Sequence, residues 1–176
     1  MIEVEAKIRI DNPKEIRKKI SKIAKYDGKY KKVDHYYTLE SLKKYPKKCL
    51  RIRKNNKDYE VNIKKKVSKL EHIHAKNEVE FNIRDIKTFL DLIKDFGFKK
   101  WIAKYKTTYN YEINKRFHIE VNHVRKLGWF LEVEYLAKRG EIPKARKKVL
   151  EIVKKLGFDK KKIIEDGYTK MLWDLK

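Results

Sequence analysis

Apolar and charged residues alternate from the start of the chain: Ile2, Val4, Ala6, Ile8 and Ile10 fall on one side of an extended backbone, Glu3, Glu5, Lys7 and Arg9 on the other. The pattern predicts a strand over 1–10 with one apolar face. Asp11-Asn12-Pro13 then supplies a cap with proline in the first helical turn, and Ile16, Ile20, Ile23 and Ala24 recur at helical spacing until Gly28. A helix over 13–26, stopped by Gly28, is expected. Three strand-like runs follow, VDHYYTLE at 33–40, CLRIRK at 49–54 and DYEVNIKKK at 58–66, separated by short polar stretches that can turn. VSKLEHIHA at 67–75, which contains His72 and His74, has no clear period and reads as a mobile connection of the kind that gates substrates.

From residue 78 the order restarts. NEVEFNI resembles the opening IEVEAKI, a helix with Ile86, Phe89, Leu90 and Ile93 follows, and Gly97-Phe98 ends it. Strands near 101–112, 116–122 and 129–136 complete a second β-α-β-β-β half, in which WFLEVEY at 129–135 answers YEVNIKK at 59–65. Two such halves give eight strands. A sheet this charged on one face resolves its edges best by closing, so the expectation is an α+β fold: one domain over 1–176, an eight-stranded antiparallel closed β-barrel. Helices near 143–157 and 166–175 carry apolar stripes that suit its outside.

The polar positions then acquire meaning. Seven strands carry them two apart: Glu3/Glu5/Lys7, Arg51/Arg53, Asn62/Lys64/Lys66, Glu78/Glu80, Lys104/Lys106, Glu120/Asn122 and Glu132/Glu134. A plain solvated face would explain any one of them. The helices, however, need an apolar surface to cover; if the strands' apolar residues supply it, the charges point into the lumen. A lumen with acids and bases in separate clusters can hold a metal ion on carboxylates while lysines and arginines neutralise phosphate oxygens. Glu3, Glu5, Glu80, Glu132 and Glu134 are the candidate ligands, and an all-oxygen set suits Mg²⁺ or Mn²⁺ better than zinc.

Composition narrows the setting more than the chemistry. Lys and Arg number 48 against 25 Asp and Glu, a formal charge of +23, which makes a polyanion the natural partner and leaves nucleic acid, nucleotide and polyphosphate open. The single cysteine, Cys49, excludes an internal disulfide and fits a reducing, cytoplasmic location. No run approaches the length of an apolar span, and the charged opening is unlike a leader, so neither export nor membrane insertion is expected.

In combination, Glu3-x-Glu5-x-Lys7, Leu50-Arg51-Ile52-Arg53, Lys64, Glu78-x-Glu80, Lys104-x-Lys106, the run from Leu127-Gly128 through Phe130 to Glu132-x-Glu134, and Tyr168 resemble the CYTH superfamily over nearly the whole chain. That superfamily contains class IV adenylyl cyclases, thiamine triphosphatases and inorganic triphosphatases. The resemblance implies a triphosphate tunnel in which the N-terminal glutamates with Glu132 and Glu134 bind a divalent metal. Lys7, Arg51, Arg53, Lys64, Lys66, Lys104 and Lys106 would grip the phosphates, with Glu5, Lys7 and Lys64 as the catalytic candidates. Lys106 stands where arginine is frequent and Asn122 where aspartate is usual, so one carboxylate of the family pattern is missing, with Glu120 as the substitute on the same face. Asp34, Tyr36 and Tyr37 resemble an Asp-x-Tyr element of the cyclase branch. The implied activity is ATP cyclisation to cyclic AMP and pyrophosphate, with nucleoside, thiamine or inorganic triphosphate hydrolysis as the alternative and a homodimer as a further implication. A non-catalytic module binding RNA or polyphosphate stands outside the family reading.

Overall fold

The computed structural model describes residues 1–55, 58–70 and 73–176, with the backbone alone described at 55, 64–70, 74 and 76–78. The strands are β1 (Ile2–Arg9), β2 (Lys25–Thr38), β3 (Leu50–Asn55), β4 (Asp58–Leu70), β5 (Ile73–Ile83), β6 (Lys99–Asn114), β7 (Phe117–Val124) and β8 (Gly128–Ala137). The helices are α1 (Pro13–Ile20), α2 (Ile86–Asp95), α3 (Ile142–Lys155) and α4 (Tyr168–Trp173). Each half therefore runs β-α-β-β-β. All pairings are antiparallel, in the order β1-β5-β4-β3-β2-β6-β7-β8, and β1 bonds both β5 and β8, which makes the ladder circular.

The apolar face of β1 is turned outward onto helices. Val4, Ala6 and Ile8 are fully buried there, with Ile119, Val121, Leu131 and Val133 from β7 and β8, under Ile16 and Ile20 of α1 and Ala145, Val149 and Val153 of α3. A second layer sets Ile93 of α2 on Leu50, Ile52 and Val61. The core thus lies between barrel and helices. At one end the lumen is closed as well: Ile102, Val124 and Phe130 share the strand faces of Lys104, Asn122 and Glu132 and pack on Tyr168 and Leu172 of α4.

Capping explains the helix starts. Asn12 accepts from the Glu15 amide at 3.2 Å and Asp85 from the Thr88 amide at 3.1 Å, each worth about 1 kcal/mol. The first helix is shorter than its spacing predicts. It ends at Ile20, and Ile23 and Ala24 continue to pack on the core from a turn whose amides bond back to Ile20. The chain is then drawn into pairing with β6 from Lys25 onward. Gly28 is consequently not a helix stop but part of a bulge in β2, where an added Cβ would meet the Tyr30 hydroxyl at 2.8 Å.

The expected mobile connection at 67–75 is also corrected. Residues through Leu70 belong to β4 and those from Ile73 to β5, paired Ser68↔Ala75, Lys69↔His74 and Leu70↔Ile73; His72 lies outside the described residues. A register shift between Lys66 and Ser68 interrupts the ladder there, and an inserted residue breaks the two-residue period of a sequence.

Candidate active site

The inner strand faces enclose a cavity of about 730 Å³. Among its described lining residues stand seven lysines and arginines and seven glutamates, so these lining charges balance although the chain carries +23. Three strands supply the acidic end. Glu5 of β1 is directly opposite Glu134 of β8, and Glu3 follows on the same face; single carboxylate oxygens of all three lie within 4.8 Å of one another. Like charges opposite each other across a ladder are destabilising. Glu5 is buried and the other two are half-buried, so a divalent cation bound by three oxygens suits this donor set.

The basic residues are held differently. Asp34 of β2, with no solvent exposure, lies between Arg53 of β3 and Lys104 of β6 in register. Arg53 grips it bidentately, Nε to Oδ1 at 2.7 Å and Nη2 to Oδ2 at 3.0 Å, and Lys104 Nζ approaches Oδ2 at 2.9 Å. Burial alone would raise the Asp34 pKa, but Lys104, Arg53 and Arg51 outweigh it and hold the carboxyl far below the ordinary carboxylate range. The same burial pushes Lys104 down to about 8; Asp34 opposes the shift, while Lys106, Arg53 and Arg51 reinforce it. Arg51 in turn reaches Glu60 at 3.1 Å.

A second knot joins β2, β6, β7 and β8. Glu120 accepts from Lys106 at 2.7 Å and Lys32 at 3.1 Å, and Glu132 lies 3.5 Å from Lys106. Asn122 donates its amide to both carboxylates, at 3.1 Å to Glu120 and 2.7 Å to Glu132. Burial works against the charge on Lys106, yet Glu120 and Glu132 prevail and raise its pKa; Glu120 is correspondingly driven well below the usual range against its own burial. Burial lowers Lys32.

The C-terminal segment caps this arrangement. The Ile164 amide bonds the Lys7 carbonyl at 2.8 Å and Ile8 bridges Ile163, which brings Tyr168 over the lumen. Its ring lies 4.6 Å from Lys7 Nζ and 5.4 Å from Lys104 Nζ. Burial, then Glu132, raises the Tyr168 pKa well above its usual value, so the phenol stays protonated.

Of the sequence-predicted ligands, the fold brings Glu3, Glu5 and Glu134 together. Glu132 sits opposite Lys7 within the Lys106 knot, and Glu80 lines the lumen opposite Asn62 at an exposed position; both stand apart from the trio. Lys7, Arg51, Arg53, Lys104 and Lys106 all face the cavity, and the side chains of Lys64 and Lys66 lie outside the described residues. The expected separation of acids from bases holds only for the trio, because Asp34, Glu60, Glu120 and Glu132 are interleaved with the bases as counter-ions. Sequence reasoning missed Lys32 and the organising role of Asp34. Their signal was the alternation Lys32-Asp34-Tyr36, cut short by an expected strand start at 33.

Comparison with known proteins agrees with the geometry. The family model described as CYTH domain matches residues 1–168. A protein of Methanocaldococcus jannaschii named "Putative adenylate cyclase MJ0240" is 29% identical over 97% of this chain and 98% of its own. The structure of the PH1012 protein of Pyrococcus horikoshii superposes with a TM-score of 0.81 at 27% identity, covering 96% of this chain and 98% of that one. A Vibrio parahaemolyticus structure shares the fold at a TM-score of 0.81 and 14% identity, over 98% of both chains.

Proposed function

The chain belongs to the CYTH domain family, and on that premise we propose that it is a metal-dependent enzyme acting on triphosphates inside the barrel. The observation that carries the reading is the Glu3/Glu5/Glu134 trio, of which Glu3 and Glu5 line the same cavity as the buried cations Lys7, Arg51, Lys104 and Lys106. The trio would hold Mg²⁺ or Mn²⁺. A divalent ion there supplies Lewis acidity toward phosphate oxygens and the attacking hydroxyl or water.

The remaining work falls to the chain's own residues. Asp34 takes one edge of the Arg53 guanidinium, through Nε and Nη2, so a phosphate would meet the remaining N–H groups. Lys104 and Lys106, fixed by Asp34 and Glu120, present charge without having to reorganise when a leaving pyrophosphate develops its own. Lys7 stands between the trio and this cluster on β1, placed to contact the phosphate nearest the metal.

The first reading of the reaction is class IV adenylyl cyclase-like: the ribose 3′-hydroxyl of ATP attacks the α-phosphorus, its bond to the pyrophosphate oxygen breaks, and cyclic AMP and pyrophosphate result. A second reading, hydrolysis, is favoured by one observation: the described lining is mostly charged, and its aromatic rings at Tyr36, Tyr45 and Tyr168 already face lysines. Product analysis separates them. ATP and tripolyphosphate are incubated with Mg²⁺ or Mn²⁺; cyclic AMP with pyrophosphate supports cyclisation, and ADP or orthophosphate supports hydrolysis. Absence of turnover with both substrates and both metals would sink the enzyme reading in favour of a binding module.

A further inference from the structure

We propose that the outer face of β2, β6 and β7, on the far side of the barrel wall from the site above, binds single-stranded nucleic acid. The register sets Lys29, Lys31 and Val33 beside Tyr109, Thr107 and Tyr105, and Thr107 and Tyr109 beside His123 and Val121. Every outward position in this block is basic, aromatic, hydroxyl or aliphatic. Of the carboxylates on these strands, Asp34 and Glu120 point into the lumen, while Asp27, bonded by the Tyr30 hydroxyl, and Glu112 lie beyond the Lys29–Tyr109 pair at the end of the block. A merely solvated surface mixes the two signs of charge; this one does not.

The rings are arranged as a platform. Tyr105 is 42% exposed and His123 is exposed, and the His123 ring lies 4.8 Å from that of Trp129. Trp129 continues as a near-parallel pair with Tyr109, 6.2 Å between centroids at 29°. Cations flank the platform: the Arg17 guanidinium lies 3.9 Å from the Tyr109 centroid, Lys29 Nζ is 5.4 Å from it, and Arg125 is 5.4 Å from that of Tyr105. Planar faces at intervals, bordered by Lys and Arg and with no carboxylate at the outward positions from Lys29 to Val33 and from Tyr105 to Tyr109, match a chain that alternates bases with phosphates. A duplex, whose base faces are stacked away, would meet the cations and not the rings.

The test uses 3′-labelled U15 and dT15 carrying a 5′-hydroxyl, in EDTA, so that neither triphosphate nor metal chemistry takes part and failure leaves the enzymatic reading untouched. Anisotropy should show binding to at least one oligomer near physiological salt, with quenching of intrinsic fluorescence that Trp129→Phe removes. Tyr105→Ala with His123→Ala should weaken binding about tenfold or more. Lys29→Gln with Lys31→Gln should weaken it and lower the salt slope by roughly 1.4. Lys154→Gln with Lys155→Gln, two exposed lysines of α3 with the same charge change, serves as control and should leave affinity within about twofold. Equal losses from the α3 pair, equal affinity for a duplex, absence of quenching, or no binding to either oligomer would each overturn the proposal. The exposed-lysine pair preserves the test if the aromatic variant fails to fold.

Discussion

Replacing Asp34 by asparagine is the sharpest probe of how the lumen is built. The side chains are nearly isosteric, and Asp34 has no solvent exposure, so the change removes charge and leaves shape. Arg53 would lose a bidentate partner at 2.7 and 3.0 Å, and Lys104 one at 2.9 Å, leaving two buried cations beside Arg51 and Lys106. Removing one member of a buried ion pair costs about 3–5 kcal/mol. Lys104 offers relief: its pKa, already about 8, falls further without Asp34, so it can shed its proton and limit the loss to about 3 kcal/mol. For a chain of this size each kcal/mol moves the midpoint by about 2–4 °C, so thermal unfolding at pH 7 should begin roughly 6–12 °C lower.

Two further readouts fix the cause. The folded-state pKa of Asp34 is depressed, so its stabilisation is present above the unfolded value near 4 and is lost as pH falls below it. The gap between wild type and variant should therefore narrow from pH 5 toward pH 2. Freed of its counter-ion, Arg53 should bind anions more tightly, and tripolyphosphate, which also favours reprotonation of Lys104, should raise the variant's midpoint by more degrees than the wild type's. An unchanged midpoint together with an unchanged tripolyphosphate shift would refute the role given to Asp34.

Other consequences are measurable separately. Glu5→Gln and Glu134→Gln should abolish Mn²⁺-dependent turnover and Mn²⁺-induced thermal stabilisation, read by product analysis and by thermal unfolding with and without EDTA. Lys104, at about 8 when folded and near 10.5 when unfolded, binds fewer protons in the native state between those values, so its contribution makes stability rise with pH across that window. Over the same window tripolyphosphate affinity should fall by calorimetry, and Lys104→Arg should flatten that fall. Asn122→Asp replaces a donor to Glu120 and Glu132 with a third carboxylate and should lower stability by about 1–3 kcal/mol, read by thermal unfolding in EDTA.

What the sequence disclosed follows from what is local. β1 was legible because its period of two runs unbroken from Ile2 to Arg9, and the direction of its charges was legible because α1 and α3 need Val4, Ala6 and Ile8. The period failed at two of the irregularities, at Tyr26/Gly28, where the strand was read as the end and stop of a helix, and at Lys66/Ser68, where it was read as a mobile connection. Pairings between distant strands were beyond reach. Asp34 meets Arg53 at a separation of 19 residues, and Glu132 belongs with Lys106 and Asn122 instead of the trio because β6, β7 and β8 adjoin in the barrel. Acid-base alternation looks the same whether acids will ligate a cation or serve as counter-ions; the partner across the ladder decides.

The balance of charge inside the lumen bears on how the two proposed ligands are recognised. Among the described lining residues seven bases face seven glutamates and create little net field, so their attraction for a triphosphate comes from fixed short-range geometry: Asp34 and Glu120 hold cations in place, and the ligand's oxygens meet the N–H groups those acids leave over. Such contacts are buried and poorly screened. The excess of +23 resides outside, where a Debye length of about 8 Å at physiological ionic strength confines each charge to its neighbours. Binding in the lumen should therefore respond weakly to salt and strongly to single substitutions, whereas binding on the outer face of β2, β6 and β7 should respond strongly to salt. The same strands carry both faces, so Lys106→Gln and Lys31→Gln, one residue on each side of one wall, separate the two behaviours in one protein.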